Sequence, residues 1–369
     1  MKLIVAEKHM DLQKSSAVIC SAIALALCGS GLSADGAETR SPNSKQTFAD
    51  WCRQKADLSS EAKHTVEVLL EKAGTTECDA ANQKLSSLTE LELHNNKISD
   101  IKPLASLTNL TELSLSVNNI SDIKPLASLT NLTDLSLTVN NISDIKPLTS
   151  LTNLISLDLS ENQISDIKLL VSLTNLTSLS LGDIQISDIK PLASLTNLTS
   201  LSLDNNQISD IKPLVSLTNL ISLDLNNNQI GDIKPLVSLT NLTYLDLSSN
   251  QISDIKPLVS LTNLTSLFLS DNQISDIKPL ASLTKLTIIA LENNKITDIK
   301  PLQSLTNLTD LYLIGNPIAP KTCPLKPESI CKWEPLNAML KSYNLFTTEK
   351  PGFLTKPGFL TPKITNGST

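Results

Sequence analysis

Leucine and isoleucine recur along this chain at a fixed interval. From Leu88 onward, the pattern L-x-x-L-x-L-x-x-N-x-I returns every 22 residues without an insertion. Two leucines separated by one residue lie on the same side of a strand, so the L-x-L segment predicts a short strand with both leucines inward. Eleven units begin at Leu88, Leu110, Leu132, Leu154, Leu176, Leu198, Leu220, Leu242, Leu264, Leu286 and Leu308.

The segment between two strands has the form S-D-I-K-P-L-x-S-L-T-N. Its proline fixes φ and lacks a backbone donor, which predicts a tight 3₁₀-like turn whose Ile and Leu point inward. One such coil cannot bury its own apolar side chains. We therefore expect the coils to stack into a curved α/β repeat solenoid with its core between neighbouring coils.

These features identify a resemblance to a known family. The units are similar to leucine-rich repeats, and the repeated form over residues 88–318, for example NLTSLSLDNNQISDIKPLVSLT at residues 197–218, resembles the 22-residue class of the bacterial internalins. The resemblance implies a right-handed horseshoe with a parallel β-sheet on its concave face, 3₁₀ turns on its convex face and a helical N-terminal cap. The internalin wall-anchor motif L-P-x-T-G is not found, so we do not expect wall attachment or host-cell invasion.

The ninth position of the unit is asparagine in ten of the eleven units. We expect these side chains to turn inward and to satisfy backbone groups where the strand bends away, which is a structural role. The fifth unit has Ile184 instead, and the linker before it has Leu169 in place of proline, so we expect the weakest junction there. The ladder comprises Asn96, Asn118, Asn140, Asn162, Asn206, Asn228, Asn250, Asn272, Asn294 and Asn316.

The outward positions of the strands carry acids and no Lys or Arg. The lysines form a separate column in the linkers, beside a column of turn-capping aspartates, which predicts an acidic concave face and a near-neutral convex one. Such a face suits a basic or cation-bridged partner, and a solvated face kept soluble by its charge is the alternative. The acids are Glu90, Glu92, Glu112, Asp134, Asp158, Glu161, Asp183, Asp204, Asp224, Asp246, Asp271, Glu292 and Asp310.

Three aromatic residues occur in the repeats, and all of them occupy outward strand positions. With Ile288 and Ile314 they predict an apolar stripe across the last four coils, flanked by Asp224 and Asp246. Grouped aromatics on a rigid sheet are typical binding anchors, although drift among near-identical copies is the alternative. The predicted partner-binding residues are Tyr244, Phe268, Tyr312, Ile288, Ile314, Asp224 and Asp246.

The sequences on either side of the repeats predict that the protein is exported and that the two ends of the repeat stack are covered. Residues 1–37 have the layout of a signal peptide, followed by a linker at 38–46, a helical cap at 47–87, a C-terminal cap loop at 319–336 and a disordered tail at 337–369. Cys28 suggests a lipoprotein, but Leu27 is too bulky for a lipobox. Two close pairs, Cys52 with Cys78 and Cys323 with Cys331, predict one disulfide at each end, with reduced buried thiols as the alternative.

Composition narrows the functional classes. The net charge of −7 argues against partners such as nucleic acid or an anionic membrane, the three histidines are far apart, and no apolar run is long enough to span a membrane. No catalytic set and no cofactor motif can be placed. We expect a bacterial, secreted or cell-surface module that binds a protein or a glycan, rather than a small-molecule substrate. The alternatives are a cytosolic regulator of an enzyme such as a protein phosphatase, and a structural adhesive protein.

Overall fold

The computed structural model describes residues 46–334. The predicted signal peptide, nearly all of the predicted linker and the predicted disordered tail therefore lie outside the described residues. Three helices precede the repeats: α1 (Phe48–Arg53), α2 (Ser60–Ala73) and α3 (Cys78–Ser86). Helix α1 begins with a capping box between Thr47 and Asp50, and α2 begins at the N-cap Ser59. Gly74 ends α2 with φ 67°, a left-handed conformation that glycine adopts without strain.

Helix α2 covers the open end of the first coil. Leu69 is fully buried, and two polar side chains of the helix reach backbone carbonyls of the first repeat. His64 Nε2 donates to the Asn96 carbonyl at 2.6 Å, and Thr65 Oγ1 donates to the Asp100 carbonyl at 2.7 Å. The cap thus supplies donors to a coil that has no preceding coil to pair with.

Twelve parallel strands form one open sheet in sequence order. Each repeat contributes one strand, and equivalent residues of neighbouring units are paired, so a shift of 22 residues relates one strand to the next. The strands are β1 (Glu90–Glu92), β2 (Glu112–Ser114), β3 (Asp134–Ser136), β4 (Ser156–Asp158), β5 (Ser178–Ser180), β6 (Ser200–Ser202), β7 (Ser222–Asp224), β8 (Tyr244–Asp246), β9 (Ser266–Phe268), β10 (Ile288–Ala290), β11 (Asp310–Tyr312) and β12 (Cys331–Lys332).

The opposite side of each coil is a 3₁₀ turn. Lys124 N donates to Asp122 Oδ1 at 3.0 Å at the start of one such turn, and the same contact recurs along the aspartate column, which therefore caps turns. The predicted horseshoe, with strands on one face and 3₁₀ turns on the other, is confirmed. The turns of the repeats are Lys102–Leu104, Lys124–Ser128, Lys146–Ser150, Lys168–Ser172, Lys190–Ser194, Lys212–Ser216, Lys234–Ser238, Lys256–Ser260, Lys278–Ser282 and Lys300–Ser304, and shorter ones occur at Lys55–Asp57 and Glu328–Ile330.

The core runs through the whole stack and consists of the leucines and isoleucines of the repeat. In the eighth unit, for example, the seven core side chains are at most 1% exposed: Leu242, Leu245, Leu247, Ile252, Ile255, Leu258 and Leu261. Burial of a side chain of this size contributes about 1.5–3 kcal/mol, so the regular spacing of these residues holds the coils together.

The ladder asparagines join neighbouring coils. Asn228 Nδ2 donates to the carbonyls of Leu203 (2.9 Å), Leu225 (3.2 Å) and Asn226 (3.1 Å), and its Oδ1 accepts from Ile208 N at 2.9 Å. The equivalent amides from Asn118 to Asn316 bond the preceding coil in the same way. One side chain thus satisfies backbone groups of two coils at once.

The junction of the fourth and fifth repeats lacks this contact. Ile184 is buried, at 3% exposure, and cannot accept a hydrogen bond, and Gln185 takes φ 62°. Within residues 46–334, neither the N–H nor the C=O of Ile164 makes a hydrogen bond, whereas Ile142 bonds through both groups. Leu169, which replaces the proline, keeps the 3₁₀ turn and is 42% exposed.

A disulfide lies at each end of the solenoid. Cys52 bonds Cys78 between α1 and the start of α3, with the Cα atoms 5.5 Å apart. Cys323 bonds Cys331 with a Cα separation of 5.8 Å. The C-terminal cap is more than the predicted loop, because residues 331 and 332 form the last strand of the sheet.

Candidate partner-binding surface

The concave face of the sheet is built from rows that run across the strands. The middle residue of each strand points into the core, so the residues on either side of it point outward. One outward row follows the fifth position of successive units, and we call it the central row. From β6 to β12 it comprises Ser202, Asp224, Asp246, Phe268, Ala290, Tyr312 and Lys332.

Two aromatic rings meet on this face. Tyr244 of β8 and Phe268 of β9 have their ring centroids 5.5 Å apart at an interplanar angle of 45°, and both side chains are half-buried. Ile288 lies in the row of Tyr244, two strands further on, and is also half-buried. Neither ring is needed to fill the leucine core. The aromatic pair is therefore an apolar surface that the sheet presents outward.

Tyr312 does not belong to this exposed surface, and the prediction that it is an exposed anchor is wrong. Its side chain is only 6% exposed. Strand β12 pairs with β11 and places Lys332 next to Tyr312, so the sheet continues past the last repeat. Ile314 lies at the same end of the sheet and is half-buried. Within the repeats, the exposed aromatic surface is thus confined to Tyr244 and Phe268.

Asp224 and Asp246 lie side by side in the central row, next to Phe268. The Oδ1 atom of each accepts from a backbone N–H two residues later, Asn226 N at 2.9 Å and Ser248 N at 2.8 Å. Burial, together with repulsion from Asp246 and Asp204, raises the pKa of Asp224 to about 7, and burial raises the pKa of Asp246 as well. Neither carboxylate forms an ion pair within residues 46–334.

Asp204 completes the acidic group, although sequence reasoning did not place it there. Its Oδ1 accepts from Ser202 Oγ at 2.6 Å, and its Oδ2 accepts from Asn205 Nδ2 at 2.8 Å. The side chain lies over Gly182, where a Cβ atom would approach Asp204 Oδ1 to 2.5 Å. The glycine in the fifth unit is the sequence signal for this close approach.

Tyr244 belongs to both the aromatic pair and the acidic group. Burial raises the pKa of its hydroxyl, and the charges of Asp246, Asp224 and Asp204 raise it further. The hydroxyl therefore stays protonated at physiological pH and is available as a donor at the edge of the acidic group.

Asp158 offers an internal comparison within the central row. Its Oδ1 accepts from Ser160 N at 2.9 Å, as in the other two aspartates of the row, and burial raises its pKa. Its neighbours in the central row, however, are Ser136 and Ser180. Asp158 therefore shares the backbone contact of Asp224 and Asp246 but has no aromatic ring next to it in the row.

The acidic face is not free of cations, because β12 adds one that the repeat pattern did not predict. Lys332 Nζ lies 3.8 Å from Asp310 Oδ1. Among residues 46–334, no group of three or more His, Cys, Asp or Glu side chains is arranged to hold a metal ion. No helix of the same range is long and apolar enough to cross a membrane.

Comparisons with known proteins agree with the repeat architecture. The family described as "Leucine Rich repeats (2 copies)" matches ten overlapping segments from residues 86–128 to 284–326. An internalin (inlF) from Listeria monocytogenes is 33% identical, and the match covers 73% of this chain and 93% of that chain with a TM-score of 0.60. The chain belongs to the internalin-like leucine-rich repeat proteins.

Two further solved structures of bacterial leucine-rich repeat proteins are also similar to this chain. Internalin C2 (inlC2) from Listeria monocytogenes is 37% identical over 55% of this chain and 91% of that chain, with a TM-score of 0.53. The leucine-rich repeat protein LIC12759 of Leptospira interrogans is 28% identical over 65% of this chain and 76% of that chain, with a TM-score of 0.52. No curated protein sequence matches the chain significantly.

Proposed function

We propose that this protein is an exported, non-enzymatic recognition module that binds a protein partner on its concave face. The observation that carries the proposal is the Tyr244–Phe268 pair, which is half-exposed, adjoins acids and has no role in the core. Large, rigid aromatic side chains are enriched among the residues that dominate binding energy.

The sheet suits this role because its backbone is held in place by residues other than those on the concave face. Leucines fill the interior and the asparagine ladder bonds the coils, so the outward side chains are held in place before a partner arrives. A preformed surface loses little conformational entropy on binding. The acidic group beside the rings gives the surface a preference for a positively charged partner and disfavours nucleic acid.

The test of this site is a double variant, Tyr244→Ala with Phe268→Ala. Proteins from surface and extracellular material are captured on the immobilised protein, and the affinity of each is then measured with purified partner. We expect affinity to fall by about tenfold or more, because a hot-spot residue contributes at least about 1–2 kcal/mol. The melting temperature should stay close to that of the unchanged protein.

The matched control is Val237→Ala, which removes an apolar side chain that is 47% exposed on the convex face. It should leave the affinity unchanged. A partner that binds the double variant as tightly as the unchanged protein would rule out this site.

Export rests on the leader-like sequence and on the two disulfides, since paired cysteines persist in oxidising compartments. Intact mass of the protein from its native host, with and without reduction, tests it. We expect a mass without the leader that rises by about four protons on reduction. Retention of the leader with no shift on reduction would favour the cytosolic regulator instead.

A further inference from the structure

The concave face between β7 and β9 combines two kinds of side chain that one partner group could contact together. Asp224, Asp246 and Phe268 are consecutive in the central row, and Tyr244 precedes Asp246 on the same strand and the same face. Acids and rings thus share a single patch, about three strands or roughly 10 Å wide. We call it the acid–aromatic patch.

The two carboxylates of this patch, Asp224 and Asp246, and the neighbouring Asp204 have no compensating charge among residues 46–334. Their hydrogen-bond partners are neutral: backbone N–H groups for Asp224 and Asp246, and a hydroxyl and an amide for Asp204. None of the three forms an ion pair with a Lys, Arg or His within the described part of the chain. Burial and repulsion from neighbouring acids therefore oppose the charged state of Asp224 and Asp246, and the positive charge of a bound cation would offset that repulsion.

We propose that the partner contributes an arginine side chain, whose guanidinium pairs with Asp224 and Asp246 and stacks on Tyr244 and Phe268. This inference rests on the proposed function, because it takes the concave face to be the binding surface. Carboxylates on adjacent strands are spaced by about 4.8 Å, a span that a planar guanidinium with five donors can bridge.

Arginine fits this patch better than lysine does. A guanidinium is more weakly hydrated than an ammonium, and its flat face stacks on aromatic rings, whereas the ammonium is a compact, strongly hydrated point charge. Asp224 Oδ2 makes no hydrogen bond within residues 46–334, so it remains available to a donor. The site therefore selects for a planar cation with an apolar face.

The probes are three capped tripeptides that differ only in the central side chain: N-acetyl-Gly-Arg-Gly-amide and its lysine and citrulline counterparts. Citrulline has nearly the shape of arginine without the charge. NMR follows the backbone amides of Asn226 and Ser248, which donate to the two carboxylates. At pH 8 we expect saturable shifts with the arginine peptide, weaker binding of the lysine peptide and no saturable shift with the citrulline peptide.

The variant Asp224→Asn with Asp246→Asn should reduce the affinity for the arginine peptide by at least about tenfold. Its thermal stability should equal or exceed that of the unchanged protein, because two repelling charges are removed. Asp158→Asn is the matched control, since Asp158 has the same backbone contact without an aromatic neighbour. This variant should leave the affinity unchanged. In the unchanged protein, the NMR signal of the Ser160 amide should not shift when the arginine peptide is added.

Each other outcome overturns the assignment. Equal binding of the citrulline peptide excludes a charge-dependent site, and equal binding of the lysine peptide excludes the selectivity for a guanidinium. An equal effect of Asp158→Asn means that the whole acidic face acts rather than this patch. If the arginine peptide fails to bind while Tyr244→Ala with Phe268→Ala still weakens partner binding, the arginine assignment falls and the proposed binding surface stands.

Discussion

Each ladder asparagine of the regular coils satisfies several buried backbone groups with one amide side chain. Asn228 bonds three carbonyls and one N–H from two coils, and it is only 8% exposed. Buried backbone groups that lose their partners cost free energy because water cannot replace the lost bond. The stability of the solenoid therefore depends strongly on these buried amides.

Asn228→Ala should lower the free energy of unfolding by about 2–4 kcal/mol, since it leaves Ile208 N–H and several carbonyls unpaired. Urea denaturation measures the change. Asn241→Ala is the matched control, because Asn241 is exposed and its side chain makes one hydrogen bond, to the Thr218 carbonyl at 2.9 Å. It should cost about 0.5 kcal/mol or less. Similar losses for both variants would contradict the structural role of the ladder.

Asp224→Asn should stabilise the protein in a manner that depends on pH. The folded pKa of Asp224, about 7, lies above its unfolded value, so the folded state holds more protons between about pH 4 and 7 and loses stability as pH rises through that range. Asp246 and Asp204 are the titratable groups whose charges raise the pKa of this carboxyl.

The asparagine variant should match the unchanged protein near pH 4 and exceed it by about 1–3 kcal/mol at pH 8. Urea denaturation across this range measures the difference. A difference that is constant with pH would contradict the raised pKa of Asp224.

At the scale of elements, the stack has one irregular junction and one specialised end. The sheet register continues without change from β4 to β5, so the substitution of Ile184 for asparagine disturbs the turn and not the strand pairing. The irregularity is local, and it should therefore be visible in hydrogen exchange before it affects the overall melting behaviour.

The backbone amide of Ile164 should exchange with solvent deuterium at least about ten times faster than the amides of Ile142 and Ile186. Those two amides donate to Asn162 Oδ1 and Asn206 Oδ1, each at 3.0 Å, whereas Ile164 N–H has no hydrogen bond within residues 46–334. NMR-detected exchange measures all three in one sample. Equal protection would show that the backbone N–H of Ile164 is satisfied in another way.

The N-terminal cap depends on a buried hydroxyl. Thr65 is fully buried, and Thr65→Val keeps its shape while removing the donor to the Asp100 carbonyl. We expect a loss of about 1–2 kcal/mol, measured by urea denaturation. Thr108→Val, at an exposed position of the first linker, should change stability by less than about 0.5 kcal/mol. A harmless Thr65→Val would mean that apolar contact alone holds the cap.

For the whole molecule, the repeat pattern predicted most of the architecture and less of the surface. Strands, turns and core follow from periodicity, because each coil contacts only its neighbours and the same residues recur. Tyr312 could not be placed correctly, since β12 comes from a segment outside the repeat pattern. Asp204 acts on Asp224 and Asp246 through its charge, and its side chain contacts Gly182 of the preceding coil; a column of outward positions reveals neither interaction.

Deletion of residues 110–153, which are the second and third units, should leave a folded protein with unchanged partner affinity. The first unit would then meet the fourth in the same register, so Asn162 could bond the Leu93 carbonyl as Asn118 now does at 2.9 Å. Circular dichroism and binding measurements test this. Deletion of residues 110–120, half a unit, should abolish cooperative folding, because the strand register and the core spacing are both lost.

The asparagine ladder also bears on how such a protein can change over generations. Leucines and buried amides hold the coils together, so the stacking of the coils does not depend on the identity of most outward strand residues. Many substitutions on the concave face therefore preserve the fold, and selection can act on them for recognition. Related chains can diverge in the partners they bind while their backbones remain superimposable.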